Sequence, residues 1–406
     1  MLRQACVWVL GVSLVFACEP SVSKLVVGEV EYVTGEGSGE PNLFAASDGR
    51  AFLTWLEPVG ADGYALRFAA RDAGEWSEPV SVVESGQFFV NWADFPSLVQ
   101  LDNGDLLVHW LEKMGPETYA YHVRLALSDD GGATWSDATT PHRDTSSTEH
   151  GFVSMVPWEG GAALVWLDGR EMKSEAEAAG QDDLDRGDMS IRFTTFGPDG
   201  DLGPDMLLDP RTCECCQTSL AKVGSGLLAA YRDRSDAEIR NIAVVRYDDG
   251  RWSEPTHVAD DNWYYPGCPV NGPQLSALGD TVVVTWFTAP EQKPAVYAAF
   301  SSDGGRSFGG PIRLDEGDPL GRVDIEILED GRAVVSWLER SAAAAEVRVR
   351  LVGRDGRLGR PVVVAETAEA RASGFPRIVL LEDELLVAWT VVGDSGEVRV
   401  ASVRFH

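Results

Sequence analysis

The most reactive side chains of this 406-residue sequence lie in one short run. Cys213-Glu-Cys-Cys216 packs three thiols into four positions, and Cys268 adds a fourth further along. Thiolates are soft ligands that suit Cu(I) or Zn, and an imidazole such as His150 would extend the set. In an oxidising compartment the same four cysteines make two disulfides, in one of three pairings that spacing does not rank. One pairing joins the adjacent Cys215 and Cys216, and three cysteines in four positions is poor disulfide geometry. Both readings stand. Zinc-ribbon spacing is absent, and so are His-x-His and His-Glu-x-x-His runs. His109, His122, His142, His257 and His406 therefore point to no standard catalytic zinc site.

A second set could bind an anion or move a proton. It comprises Asp94 in Trp92-Ala-Asp94, Arg170 in Asp168-Gly-Arg170, Arg232 and Arg234 in Arg232-Asp-Arg234, Arg240, and the phenols of Tyr264 and Tyr265. The arginines would serve as cations, Asp94 as an acid, and Tyr264 or Tyr265 as a nucleophile. Beside Asp168 and Asp233 the arginines read equally well as an ion-pair lattice joining neighbouring segments. Trp92, Trp263, Tyr264 and Tyr265 offer rings for stacking on a sugar or for packing between elements. No phosphate-binding loop and no nucleophile elbow occurs.

The elements that must position these residues repeat at roughly 40 to 50 residues, a period of blade-built folds. Each unit has a polar lead-in, an apolar strand, a turn, and a second strand ending in an aromatic: Trp55, Trp110, Trp166, Tyr231, Trp286, Trp337 and Trp389. A third alternating strand and a short fourth follow. The expected fold is all-β, a single propeller of four-stranded antiparallel blades over residues 24–406, with seven blades as the count and six as the alternative. The last unit stops after its third strand. Lys24 to Val33 reads as the missing fourth, so the termini would share one blade and close the ring.

The turns between third and fourth strands carry a signature. Ser128-Asp-Asp-Gly-Gly-Ala-Thr-Trp135 and Ser301-Ser-Asp-Gly-Gly-Arg-Ser-Phe308 resemble the Asp box of the sialidase-like β-propellers, and worn copies lie at 72–76, 198–202, 248–252 and 354–358. Such turns and those between first and second strands occupy one end of every blade. The lead-ins and the connections between second and third strands occupy the other. All the chemically loaded runs fall at that second end, as does an acidic, Ala-rich insertion, Glu171 to Asp188, read as a mobile flap. The resemblance implies what a sialidase would need: three arginines on the substrate carboxylate, a tyrosine nucleophile assisted by a glutamate, and an aspartate as acid/base. The sequence departs from that pattern. The lead-in to the first blade is Gly39-Glu-Pro-Asn-Leu43, with no arginine, and Phe375-Pro-Arg-Ile378 has the expected letters in another order. A glycoside hydrolase of exo-sialidase type and a passive interaction scaffold thus remain alternatives to a metal- or ligand-binding propeller.

A formal charge of −30 and only five lysines argue against nucleic acid or an anionic membrane surface as partner. A small molecule, a glycan or a metal ion is the expected ligand. Arg3 followed by the apolar run Ala5 to Ala17 reads as a secretory signal over residues 1–18, with a tether over 19–23. Leu14-Val-Phe-Ala-Cys18 resembles the lipobox of bacterial lipoproteins, which implies an exported protein of the cell envelope anchored through a lipid on Cys18.

Overall fold

A computed structural model describes residues 24–173, 187–342, 344–382, 384–393 and 396–406. The signal segment, Cys18 and the tether lie outside the described residues, as does most of the insertion expected as a flap.

The second strands run as nearly unbroken apolar segments, such as Val282 to Trp286 and Val334 to Leu338, because both of their faces are covered by neighbouring sheets. Outer strands such as Val80–Ser85 and Val362–Thr367 are half-exposed. The result is seven antiparallel blades in a propeller, spanning residues 39–85, 97–128, 150–212, 219–259, 274–313, 319–367, and 377–405 with 25–33. Blade 2 keeps three full strands, and its fourth position is reduced to a bridge between Leu125 and Thr139. Blades 1 and 4 split the outer strand in two. The expected closure is present. Leu25–Val33 pairs antiparallel with Glu397–Phe405, and Lys24 and His406 exchange backbone hydrogen bonds of 2.6 and 2.9 Å.

The seven second-strand aromatics are all buried. Most carry their polar atom into the core together with an acid. Trp55 and Trp166 donate to Glu57 and Asp168 at 3.1 and 2.8 Å, Trp337 to Glu339 at 2.5 Å and Trp286 to Asp261 at 2.6 Å, while the Tyr231 hydroxyl donates to Asp209. Residues two apart on a strand share a face, so a Trp-x-Glu or Trp-x-Asp pattern satisfies the indole locally.

In the first signature turn Asp130 accepts hydrogen bonds from the Thr134 amide and hydroxyl and from the Ser128 hydroxyl, which itself accepts the Gly132 amide. Asp303 and Ser301 repeat the arrangement. These turns also join blades. Gly132 has φ +93°, and a methyl group there would run into the Phe68 ring of blade 1; Gly305 meets Leu228 of blade 4 in the same way. Gly132→Ala combines left-handed strain with a clash. We expect it to lower stability by about 2 kcal/mol or more in urea denaturation; an unchanged midpoint would contradict this account of the turn.

Candidate site at the blade lead-ins

The sulfur cluster is built where blade 3 hands over to blade 4. Cys213 follows the last strand of blade 3, Met206–Thr212, and its amide donates to the Arg232 carbonyl at the end of Gly226–Arg232, at 2.9 Å. The chain then turns through Glu214, Cys215 and Cys216 before Ser219–Val223 begins. The sulfurs of Cys213, Cys215 and Cys216 lie within 4.8 Å of one another, with Cys213 and Cys216 at 2.8 Å. Cys213 and Cys216 are buried and Cys215 is partly open. Exposed Cys268, on the lead-in to blade 5, reaches the Cys215 thiol.

Electrostatics divides the three. Burial pushes Cys213 up to about 12, and burial together with its sulfur neighbours raises Cys215 well above the ordinary thiol value. Cys216 goes the other way. Burial alone would raise it, but hydrogen bonds from Cys213 and Cys215, the Arg232 guanidinium and an amide hydrogen bond at Asn271 hold it well below the ordinary value. Of the three sulfurs, Cys216 is the one whose surroundings favour ionisation. Arg232 is fully buried, donates to the carbonyls of Asn271, Arg240 and Phe287 at 2.9, 2.8 and 2.6 Å, and lies over the Trp263 ring. Among the described residues it makes no ion pair with a carboxylate, although its charge is felt at Asp261.

The other arginines are neutralised. Arg170 pairs with Asp168 and Asp205 at 2.7 and 2.8 Å. Arg234 is forked onto Glu238 and also pairs with Glu214, and Arg240 pairs with Glu238 at 2.7 Å. This is the ion-pair lattice, and Glu214 and Glu238, which sequence reading passed over, are its anionic half. Tyr264 is 63% exposed, and Tyr265 packs its ring on Trp263 at 5.2 Å. Two buried phenols donate to carboxylates, Tyr121 to Glu149 and Tyr231 to Asp209. Neither belongs to the expected catalytic set.

Asp94 and His150 lie elsewhere. Asp94 lines an axial cavity of about 340 Å³ to which all seven blades contribute, and its Oδ2 accepts the Phe152 amide at 2.8 Å. His150 does not join the sulfurs. It meets His122 and His142 between blades 2 and 3, a grouping that sequence reading missed because the three residues share no local motif. The available signal was topological: His122 starts a third strand and His150 a first strand, which places both at the same end of adjacent blades.

No family model matches this chain, and no curated protein matches it. Solved structures do. A protein of unknown function from Dyadobacter fermentans aligns over 94% of this chain and 99% of its own, with TM-score 0.53 and 14% identity. The polysaccharide lyase Uly1 aligns over 90% of both chains, with TM-score 0.52 and 8% identity. A Trypanosoma rangeli sialidase with the inhibitor DANA aligns over 94% of this chain and 59% of its own, with TM-score 0.48 and 11% identity. The likeness is one of fold. At these identities a substrate does not transfer with it.

The axial cavity generates a pH prediction. Burial raises the Asp94 carboxyl to about 7 against the opposing Phe152 hydrogen bond, and burial with the Asp324 charge raises Glu326 to about 8. The folded chain thus keeps protons that the unfolded chain has lost. The stabilisation is complete below the ordinary carboxyl pKa of about 4 and is lost as pH rises through about 7. Asp94→Asn keeps an acceptor oxygen and removes the titration. Its stability in urea should gain on wild type steadily between pH 4 and 7; a difference that stays constant with pH would contradict the assignment.

Proposed function

We propose that this protein is an exported sialidase-like propeller that binds a soft metal ion, Cu(I) foremost and Zn second, on Cys213, Cys215 and Cys216, with Cys268 at the mouth of the site. The observation that carries the reading is the convergence of three sulfurs within 4.8 Å, with the buried Arg232 guanidinium favouring ionisation of one of them. A metal ion binds thiolates, so a site must make deprotonation affordable; Arg232 does this for Cys216, and the ion itself would do it for the other two. Three sulfurs in a partly dehydrated turn suit a soft ion better than a hard one. Export and a lipid on Cys18 are proposed from the leader alone.

A second reading rests on pairwise contacts, Cys213 with Cys216 and Cys215 with Cys268. Two disulfides along those contacts would staple the blade 4 and blade 5 lead-ins and make the face a scaffold. It leaves unexplained why Cys215 also converges on the other pair.

Elemental analysis with thiol mapping of the purified full chain, prepared without chelator, separates the two. The expected result is about one copper or zinc per chain at this site, lost in Cys215→Ser/Cys216→Ser. Four oxidised cysteines in the pairs named above, with no metal that depends on them, would overturn the proposal.

A further inference from the structure

Three histidines meet between blades 2 and 3, separate from the sulfur cluster. His122 lies at the start of the third strand of blade 2, Tyr121–Ser128; His142 lies on the segment leading to the next blade; His150 opens blade 3 in His150–Trp158. One ring nitrogen of each lies within 4.8 Å of the other two. The His142 and His150 rings stack at 4.0 Å and 7°, with the His122 ring 4.7 and 5.3 Å from them.

Hydrogen bonding fixes which nitrogens are free. His150 Nδ1 lies 3.2 Å from the carbonyl oxygens of Tyr121 and Thr148, so Nδ1 carries a proton and Nε2 is the nitrogen turned toward Asp144. His142 Nδ1 donates to the Asp144 carbonyl at 3.1 Å, which leaves its Nε2 as the lone pair. That atom is buried without a protein partner on a residue only 4% exposed, and His122 Nδ1 is buried and unpartnered as well. An orphaned buried polar atom destabilises the fold unless a partner satisfies it. Two in one cluster call for a shared partner. Asp144 Oδ2 stands 2.9 Å from His150 Nε2, so a proton on that nitrogen joins the two, and a cation bound by both would take that proton's place. Asp168, 3.8 Å from the same nitrogen, is already held by Arg170 and Trp166.

We propose that His122, His142 and His150, with Asp144 as fourth ligand, form a binding site for a divalent first-row cation of the Zn2+ or Cu2+ type. The carbonyls on His150 Nδ1 and His142 Nδ1 are the outer partners that hold ligating imidazoles in one tautomer. Donors around a tetrahedral ion with bonds of about 2.1 Å stand about 3.4 Å apart. Side-chain adjustments of about an ångström bring the nitrogens to that spacing. Imidazole and carboxylate make this a harder site than the sulfur cluster, so the two would take different ions or oxidation states. The inference does not depend on the sulfur site.

The test is a Zn2+ titration of the purified full chain by calorimetry, with thermal unfolding in parallel. Zn2+ should raise the Tm of wild type and of Cys215→Ser/Cys216→Ser, because an ion bound only by the folded state stabilises it. His142→Ala and His122→Gln, checked for folding by circular dichroism, should each bind one equivalent fewer than wild type. Zn2+ stoichiometry unchanged by the histidine substitutions would overturn the proposal. So would a Cys215→Ser/Cys216→Ser chain that neither binds Zn2+ nor gains Tm from it.

Discussion

Everything on the functional face depends on the ring being closed. Together with the Arg71–Glu384 ion pair and the Arg377–Asn42 hydrogen bond between first and last blades, the pairing of Leu25–Val33 with Glu397–Phe405 closes the ring. It removes two sheet edges and fixes the angular position of every blade. Short lead-ins from adjacent blades can then meet with little freedom. The sulfur cluster uses that rigidity: its cysteines come from the lead-ins of blades 4 and 5, and its cation from the second strand of blade 4. An open stack would hold the same residues without fixing their distances.

Within the ring the charge bookkeeping is uneven, and the unevenness is informative. Arg170, Arg234 and Arg240 are matched by Asp168, Asp205, Glu214 and Glu238, so they stiffen the face and have little charge left for an anionic substrate. Among the described residues Arg232 donates to carbonyl oxygens and lies over a ring, without a carboxylate ion pair. A buried guanidinium without a carboxylate costs several kcal/mol unless another anion sits near it. Cys216 lies beside Arg232, and the guanidinium favours its ionised form. This pairing distinguishes the sulfur cluster from a set of inert buried thiols.

The fold was legible because each blade poses the same packing problem and solves it with the same letters. Trp55, Trp166, Trp286 and Trp337 mark second strands wherever they occur, and Lys24 to Val33 could be assigned by counting strands alone. Cys213, Cys215 and Cys216 were legible because a turn keeps neighbours together. His122, His142 and His150 were not, since three separate segments of two blades bring them together. His150 was grouped with the cysteines because its lead-in is at the correct end of the propeller, but lateral distance between blades is not written in local spacing. One partner of Arg234 was hidden for the same reason: Glu214 is close only because blade 3 hands over to blade 4 at that point.

X-ray absorption on the chain loaded with one equivalent of Cu(I) tests the central claim most directly. The account requires a copper coordinated by three sulfurs, with the signal lost in Cys215→Ser/Cys216→Ser. A copper surrounded by nitrogen or oxygen, or a chain that takes up no Cu(I) with Cys213, Cys215, Cys216 and Cys268 reduced, would contradict it.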